Sequence, residues 1–352
     1  MTARSTAPTT IVTGAGGWLG RALLASFSGD ASVNGDQSHA RDGVLRALVH
    51  TADEVADVLA VAERAEVHVG DMTDPSVLAR VFEGTAGASV IHAAGVIHPK
   101  RASDFVVNSV GARAVVEQAI AAGVGRFVHV SSNSPFGVNS APDDVFRADE
   151  PYRPYLGYGR SKMDAELVVR AAVDAGDLDA VIVRPPWFYG PFQPERQTSF
   201  FRLVRRGIFP LFGSGENRRS MVYIGNLVDG IVRAEQQADA TGKAYWIADA
   251  RPYPMTEVVA TVKQALADAG LKVSQRQVRV PGFFGDLAEK GDAFLQERGR
   301  YQQELHVVGE LNKTIACDIS AARADLGYEP TVDLAEGMRR SVRWCLDRGI
   351  EL

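Results

Sequence analysis

Cysteine is scarce. The 352 residues contain two, Cys317 and Cys345, with no CxxC and no metal-ligand spacing. That argues against a disulfide scaffold and fits a reducing compartment with free, buried thiols. No run of about 18 apolar residues occurs, so nothing in the chain reads as a membrane span. Basic blocks and basic amphipathic helices are also missing. Net charge is −5, with acids and bases interspersed, so neither nucleic acid nor a membrane surface is expected as a partner. The seven histidines are scattered without HExxH or HxxxH spacing, and no metal is expected. His92 and His129 fall in predicted strands and read as core histidines. Residues 1–8 carry no apolar stretch able to serve as a signal peptide, so a cytoplasmic location is expected. Internal repeats and low-complexity tracts are absent.

What is present is a globular pattern. The hydrophobic share of 46% permits a sizeable core, and the length suits one large α/β domain or two modest ones. Near-continuous apolar runs at 9–13, 44–49, 66–69, 88–92, 127–131 and 180–183 read as strands with both faces covered. Helical stretches separate them, at 21–27, 75–82, 102–122 and 158–175. The alternation predicts βαβ units and a doubly wound parallel sheet of Rossmann type over residues 1–185. A later strand at 244–248 is expected to join it. Residues 29–43 are rich in Gly, Asp, Ser and Asn without periodicity and read as a mobile surface loop. Beyond Pro185 the alternation weakens. Helices are expected at 198–206 and 334–348, with an irregular pattern between 278 and 334. Residues 186–352 are therefore expected to form mainly a smaller, discontinuous substrate-facing subdomain.

The first chemical motif is the turn Thr13-Gly14-Ala15-Gly16-Gly17-Trp18-Leu19-Gly20, placed after a strand and opening a helix. Glycines at 14, 17 and 20 allow a tight turn and let backbone amides, those of Trp18 and Leu19 among them, approach a pyrophosphate at the positive helix end. Asp71 and Met72 follow the third strand, where an acid and an apolar side chain suit an adenosine. Ala93-Ala94-Gly95 follows the fourth strand and leaves room for ribose and phosphates, and Asn108 lies in the next helix.

The strongest signal is Tyr158-Gly159-Arg160-Ser161-Lys162, with Ser132 upstream at the end of the fifth strand. Alone, a tyrosine and a lysine four residues apart would be an ordinary surface pair. On a helix they share one face. A lysine ammonium beside a tyrosine favours the phenolate and draws its pKa from about 10 toward neutrality. Ser132 can hold a substrate oxygen against that hydroxyl.

Together these motifs resemble an extended short-chain dehydrogenase/reductase of the NAD-dependent epimerase/dehydratase family. The likeness runs from about residue 9 to the C-terminus. It includes Arg184-Pro185-Pro186-Trp187-Phe188-Tyr189-Gly190-Pro191, similar to the segment near the nicotinamide, and Ser220-Met221-Val222-Tyr223-Ile224-Gly225-Asn226-Leu227, similar to a strand-to-helix segment of the second half. The resemblance implies Tyr158 as general acid/base, with Lys162 binding the nicotinamide ribose and lowering the tyrosine pKa. It implies that Ser132 orients the reacting oxygen and that Asn108 has a supporting role. Gly14, Gly17 and Gly20 would hold the pyrophosphate, Asp71 and Met72 the adenine, and Pro185 would lie by the nicotinamide. Pairing of the two helices that carry Asn108 and Tyr158 would give a homodimer.

Departures from the pattern narrow the substrate. Trp187 stands where many nucleotide-sugar members carry an asparagine, which suggests an apolar or ring-shaped substrate. Ser132 is followed by Asn133-Ser134 instead of the Asp-Glu of the sugar dehydratases. Arg219, before Ser220, matches the arginine that nucleotide-sugar members place on a diphosphate. The resulting expectation is an NAD(P)-dependent dehydrogenase or ketoreductase acting on a small, cyclic secondary alcohol or ketone, resembling the 3β-hydroxysteroid dehydrogenase branch. A nucleotide-sugar 4-epimerase and a non-catalytic dinucleotide sensor are the alternatives. The end of the second strand reads Val49-His50-Thr51-Ala52-Asp53, with His50 at the ribose-reading position, and leaves NAD and NADP both open.

Overall fold

The computed structural model describes residues 8–34 and 39–352. The first part of the chain runs β1 (Thr9–Thr13), α1 (Trp18–Phe27), α2 (Ala31–Asn34), β2 (Val44–Val49), α3 (Val55–Val61), β3 (Glu66–Val69), α4 (Pro75–Val81), β4 (Ser89–His92), α5 (Val106–Ala122), β5 (Arg126–Val130), α6 (Leu156–Asp174) and β6 (Ala180–Arg184). It continues with β7 (Trp187–Tyr189), α7 (Glu195–Arg205), β8 (Pro210–Phe212), β9 (Arg218–Arg219), β10 (Met221–Tyr223), α8 (Ile224–Gln236) and β11 (Ala244–Trp246). The last elements are β12 (Tyr253–Pro254), α9 (Met255–Asp268), β13 (Val278–Val280), α10 (Phe283–Glu297), α11 (Gln303–Leu311), α12 (Ser320–Leu326) and α13 (Leu334–Asp347).

Seven strands form one sheet in the order β11-β6-β5-β4-β1-β2-β3, every neighbouring pair parallel. The strands read as unbroken apolar runs because alternate side chains enter different cores. Val12, Ala47 and Val128 pack with Leu23 and Leu24 of α1 and with Leu227 and Ile231 of α8. Ile11, Leu48 and Phe127 pack with Val77 and Leu78 of α4, Val115 of α5 and Val169 of α6. The winding proceeds outward in both directions from β1. The reversal of strand order between β1 and β4 opens a crevice at the carboxyl ends of the strands.

Beyond β6 the chain adds three two-stranded pieces, β7 with β10, β8 with β13 and β9 with β12. The irregular stretch after 278 holds a packed helical hairpin, α10–α11, and α12. Helical periodicity there is masked by glycines that serve packing: a Cβ at Gly309 would lie 3.0 Å from Glu289 Cα, and one at Gly285 would lie 2.4 Å from the Asn312 side chain.

Two local expectations are revised. Residues 35–38 of the 29–43 segment lie outside the described residues, but its described part is ordered into α2 and a tethered end. Arg41 donates to Thr10 Oγ1 (2.6 Å) and to Glu235 Oε1 (2.9 Å), fastening that end to the sheet and α8. The helix expected from Tyr158 begins instead at Leu156, whose φ of 51° marks the turn into it and leaves Tyr158 in the first helical turn.

Candidate active site

The glycine turn occupies the crevice end of β1. Gly14 has a φ of 69°, and a Cβ there would lie 2.7 Å from Ala94 Cα; one at Gly20 would lie 2.2 Å from the Gly14 carbonyl oxygen. Only glycine lets turn, helix and β4 loop approach this closely. Gly17 is the N-cap of α1 and offers no side-chain cap, so among the described residues the first amides of a ten-residue helix, at Trp18, Leu19 and Gly20, have neither a helical nor a capping side-chain acceptor. Their partial positive charge suits a pyrophosphate. A bare helix end and a cradle that a Cβ would fill fit a dinucleotide. The Trp18 indole is buried and donates to the Pro191 carbonyl at 2.5 Å, its ring 4.7 Å from Phe188. It ties the turn to the segment after β6, where Pro185 is buried.

Next to the turn stands the β4 loop. Thr13 Oγ1 lies 2.8 Å from His92 Nδ1 and accepts from the Ala94 amide at 3.4 Å. The Asn108 side chain accepts from the Val96 amide (2.6 Å) and donates to the Val96 carbonyl (2.9 Å) and Ser161 Oγ (2.9 Å). One carboxamide thus sets both the loop after β4 and the helix that carries Tyr158. A Cβ on Gly95 would lie 3.3 Å from Asn108 Oδ1 and 3.9 Å from Lys162 Nζ. Gly14, Ala94, Gly95, Asn108 and Lys162 therefore follow one another across the crevice.

Lys162 is buried, and its ammonium donates to the Val130 carbonyl at 2.7 Å. Burial pushes its pKa down to about 8 against the opposing pull of Glu166. Two residues beyond Val130, Ser132 is half-buried. Among the described residues its hydroxyl has only long contacts, to Ser134 Oγ at 3.4 Å and from the Ser134 amide at 3.3 Å. Tyr158, also half-buried, packs its ring 5.9 Å from Phe105. Beneath Lys162, His92 and His129 stack at 5.4 Å. Burial and then the Lys162 charge lower both pKa values, that of His92 to about 3, so both rings are neutral.

The remaining sequence candidates are more dispersed. Asp71 is exposed and accepts from the Thr73 amide and hydroxyl, both at 2.8 Å. Met72 is buried against α5, its methyl 2.4 Å from where a Gly111 Cβ would sit. His50 is exposed, and its amide donates to Glu54 Oε2 at 2.8 Å. Asn133 is half-buried. Trp187 donates to Gln197 Oε1 at 3.2 Å with its ring edge-on to Phe200, which fastens it to α7. Arg219 is buried, donates to the Glu310 carbonyl at 3.1 Å, and stands 3.7 Å from the Glu310 carboxylate.

Sequence reasoning missed two contributors. Glu54 folds back so that its side chain lies 2.7 Å from where a Gly16 Cβ would be, placing a carboxylate against the glycine turn. A 3-10 turn at Ala52–Glu54 brings it there, and the offset from the strand end conceals it. The α10–α11 hairpin supplies Gln296, whose Oε1 accepts from the Gly157 amide at 3.0 Å, and Tyr301, edge-on to Phe105 at 5.4 Å. Among the described residues no three His, Cys, Asp or Glu side chains gather as a metal site, and no helix is long and apolar enough to cross a membrane.

Sheet order and site together define a dinucleotide-binding α/β oxidoreductase of the extended short-chain dehydrogenase/reductase type. The chain belongs to the NAD dependent epimerase/dehydratase family, whose profile matches residues 10–248. It is 44% identical over 349 residues to the uncharacterized protein y4nL of Sinorhizobium fredii, covering 97% of this chain and 96% of that one. A UDP-glucose 4-epimerase of Vibrio cholerae is 31% identical, covering 67% of this chain and 68% of its own. A 2-alkyl-3-oxoalkanoate reductase of Stenotrophomonas maltophilia is 28% identical, covering 94% and 97%. The fold is shared with the crystal structure of DesIV, a dTDP-glucose 4,6-dehydratase of Streptomyces venezuelae with NAD bound, at a TM-score of 0.75, 24% identity and coverage of 97% and 98%.

Proposed function

We propose that this protein is a cytoplasmic reductase or dehydrogenase that moves a hydride at a secondary alcohol or ketone carbon of a small, ring-bearing substrate, with Tyr158 as the proton-transfer group. The observation that carries this reading is the buried Lys162 ammonium, fixed to the Val130 carbonyl on the helix face it shares with Tyr158 and next to Gly95. Its positive charge stabilises the tyrosinate formed when Tyr158 gives its proton to the substrate oxygen. Ser132, with a hydroxyl only loosely engaged, receives that oxygen and orients it. When bound, the nicotinamide supplies or accepts the hydride. Gly14, Gly17 and Gly20 with the amides of α1 would hold the pyrophosphate, Asp71 and Met72 the adenosine, and Lys162 the ribose hydroxyls. Glu54 favours NAD, because a ribose 2′-hydroxyl can donate to its carboxylate, whereas a 2′-phosphate would be repelled.

The Tyr158→Phe variant should bind cofactor normally and lose at least about a hundredfold in rate. Undiminished turnover of a ketone substrate would remove the mechanism.

The reductase full-length relative and the Trp187 and Asn133-Ser134 departures support a reductase over a sugar enzyme. A nucleotide-sugar 4-epimerase is the second reading, favoured by one observation, the buried guanidinium of Arg219. An epimerase would retain its cofactor through turnover and would be stabilised by UDP-sugars in thermal unfolding. The two buried thiols suit a reducing cytoplasm.

The protein also pairs with itself in this reading. Val106 and Val110 of α5 and Leu167 of α6 are 56%, 48% and 46% exposed, on two helices that pack together. Exposed apolar side chains on two paired helices suit a twofold contact. A monomeric mass at micromolar concentration in analytical ultracentrifugation would count against it.

A further inference from the structure

The α10–α11 hairpin reaches the crevice from two sides. Gln296 holds the amide of Gly157, next to Tyr158. The Tyr301 hydroxyl lies 2.7 Å from His98 Nδ1, in the loop after β4. Inside the hairpin the polar groups form a chain. Asp292, fully buried, accepts from Gln296 Nε2 at 3.0 Å and lies 2.7 Å from His306 Nδ1. His306 Nε2 lies 4.0 Å from Glu310 Oε1. At the end of the chain Glu310 meets Arg219, which belongs to β9 and not to the hairpin.

A guanidinium taken out of water is strongly unfavourable unless a counter-charge accompanies it. Arg219 has one, provided by the last turn of α11, just before the chain pairs with β9 at Ile315. Its two nitrogens face the Glu310 carbonyl and carboxylate. A bidentate cation is otherwise a receptor for phosphate or carboxylate. Tyr155, beside this pair and three residues before Tyr158, is buried, and its hydroxyl has no hydrogen-bond partner among the described residues.

We propose that Glu310 is a specificity-determining residue: by filling the anion-binding capacity of Arg219 from the hairpin, it turns away diphosphate-bearing substrates and reserves the site for molecules uncharged at that end. This rests on the reductase reading and sharpens its substrate class.

The test uses the full chain saturated with NAD, so that the adenosine site is blocked, and titrates UDP and inorganic pyrophosphate by calorimetry. The unaltered protein should bind neither at millimolar concentration. Glu310→Gln should gain at least tenfold in UDP affinity, and adding Arg219→Met should abolish the gain. Equal UDP affinity in the unaltered protein and Glu310→Gln would overturn the proposal, as would a folded, NAD-binding Glu310→Gln without any gain. If Glu310→Gln does not fold, Glu310→Asp, whose shorter side chain draws the carboxylate away from Arg219, takes its place and should gain UDP affinity in the same direction; a folded, NAD-binding Glu310→Asp without any gain would overturn the proposal. Failure here is separable from failure of the reading it rests on. Ketone reduction by the unaltered protein, with no gain in Glu310→Gln, removes only the role of Glu310. Stabilisation of the unaltered protein by UDP-sugars without ketone reduction removes the reductase reading itself.

Discussion

Arg184, at the end of β6, and Glu166, one turn beyond Lys162 on α6, form a buried bidentate ion pair. The guanidinium donates from Nη2 to Glu166 Oε2 at 2.7 Å and from Nε to Oε1 at 3.1 Å. Its Nη1 donates to the Ala148 carbonyl, its face lies 4.2 Å from the Phe136 ring centre, and the Tyr152 hydroxyl donates to the same carboxylate. Both side chains are essentially without solvent contact. The pair locks the helix that carries Tyr158 to the sheet.

Removing one member leaves the other charge buried and unmatched. Glu166→Ala should cost about 3–5 kcal/mol in unfolding free energy, measured by urea denaturation. A loss below about 1 kcal/mol, the scale of an exposed pair, would show that the junction is solvated.

The lowered pKa of Lys162 has two consequences for pH dependence. The ammonium supports Tyr158 only while it is protonated, so kcat/KM for ketone reduction should fall above pH about 8. A rate unchanged to pH 10 would contradict that role. For stability, the folded value lies below the ordinary 10.5, and the unfolded chain holds more protons between the two. This contribution is therefore present above 10.5, is lost as pH falls through about 8, and grows as pH rises across that window. Comparing urea unfolding of the unaltered protein with that of Lys162→Met across the window would isolate it.

Glu54 is expected to set cofactor preference. Glu54→Gln removes the negative charge from beside the glycine turn while keeping an acceptor for the His50 amide. The ratio of kcat/KM for NAD to that for NADP should drop at least about fivefold, within the usual range of a single charge contact (about 1 kcal/mol). An unchanged ratio in steady-state assays would show that the carboxylate serves only to cap the turn at residues 52–54.

Much of this architecture is legible in the sequence because strands buried on both faces must be apolar throughout. The glycine turn is legible for a related reason: residues 14 and 20 have no room for a side chain, and the chain advertises it. Tyr158 and Lys162 stand out because helical spacing is itself a contact rule. Other parts depend on encounters that no local pattern encodes. Arg184 and Glu166 are 18 residues apart and meet only when α6 lies down on β6. Glu54 acts from beyond its strand, and Glu310 meets Arg219 across 91 residues. The α10–α11 hairpin hides because its glycines, placed for close helix contact, imitate loop composition. The onset of α6 at Leu156 requires a left-handed φ that nothing about leucine predicts.

The clamp between Arg184 and Glu166 also divides the molecule's freedom to change. The proton-transfer helix is riveted to the β-sheet through a buried ion pair, while the α10–α11 hairpin, a separate segment, meets that helix through the side chain of Gln296. Substitutions in the hairpin can thus alter which molecules are accepted without breaking the clamp underneath.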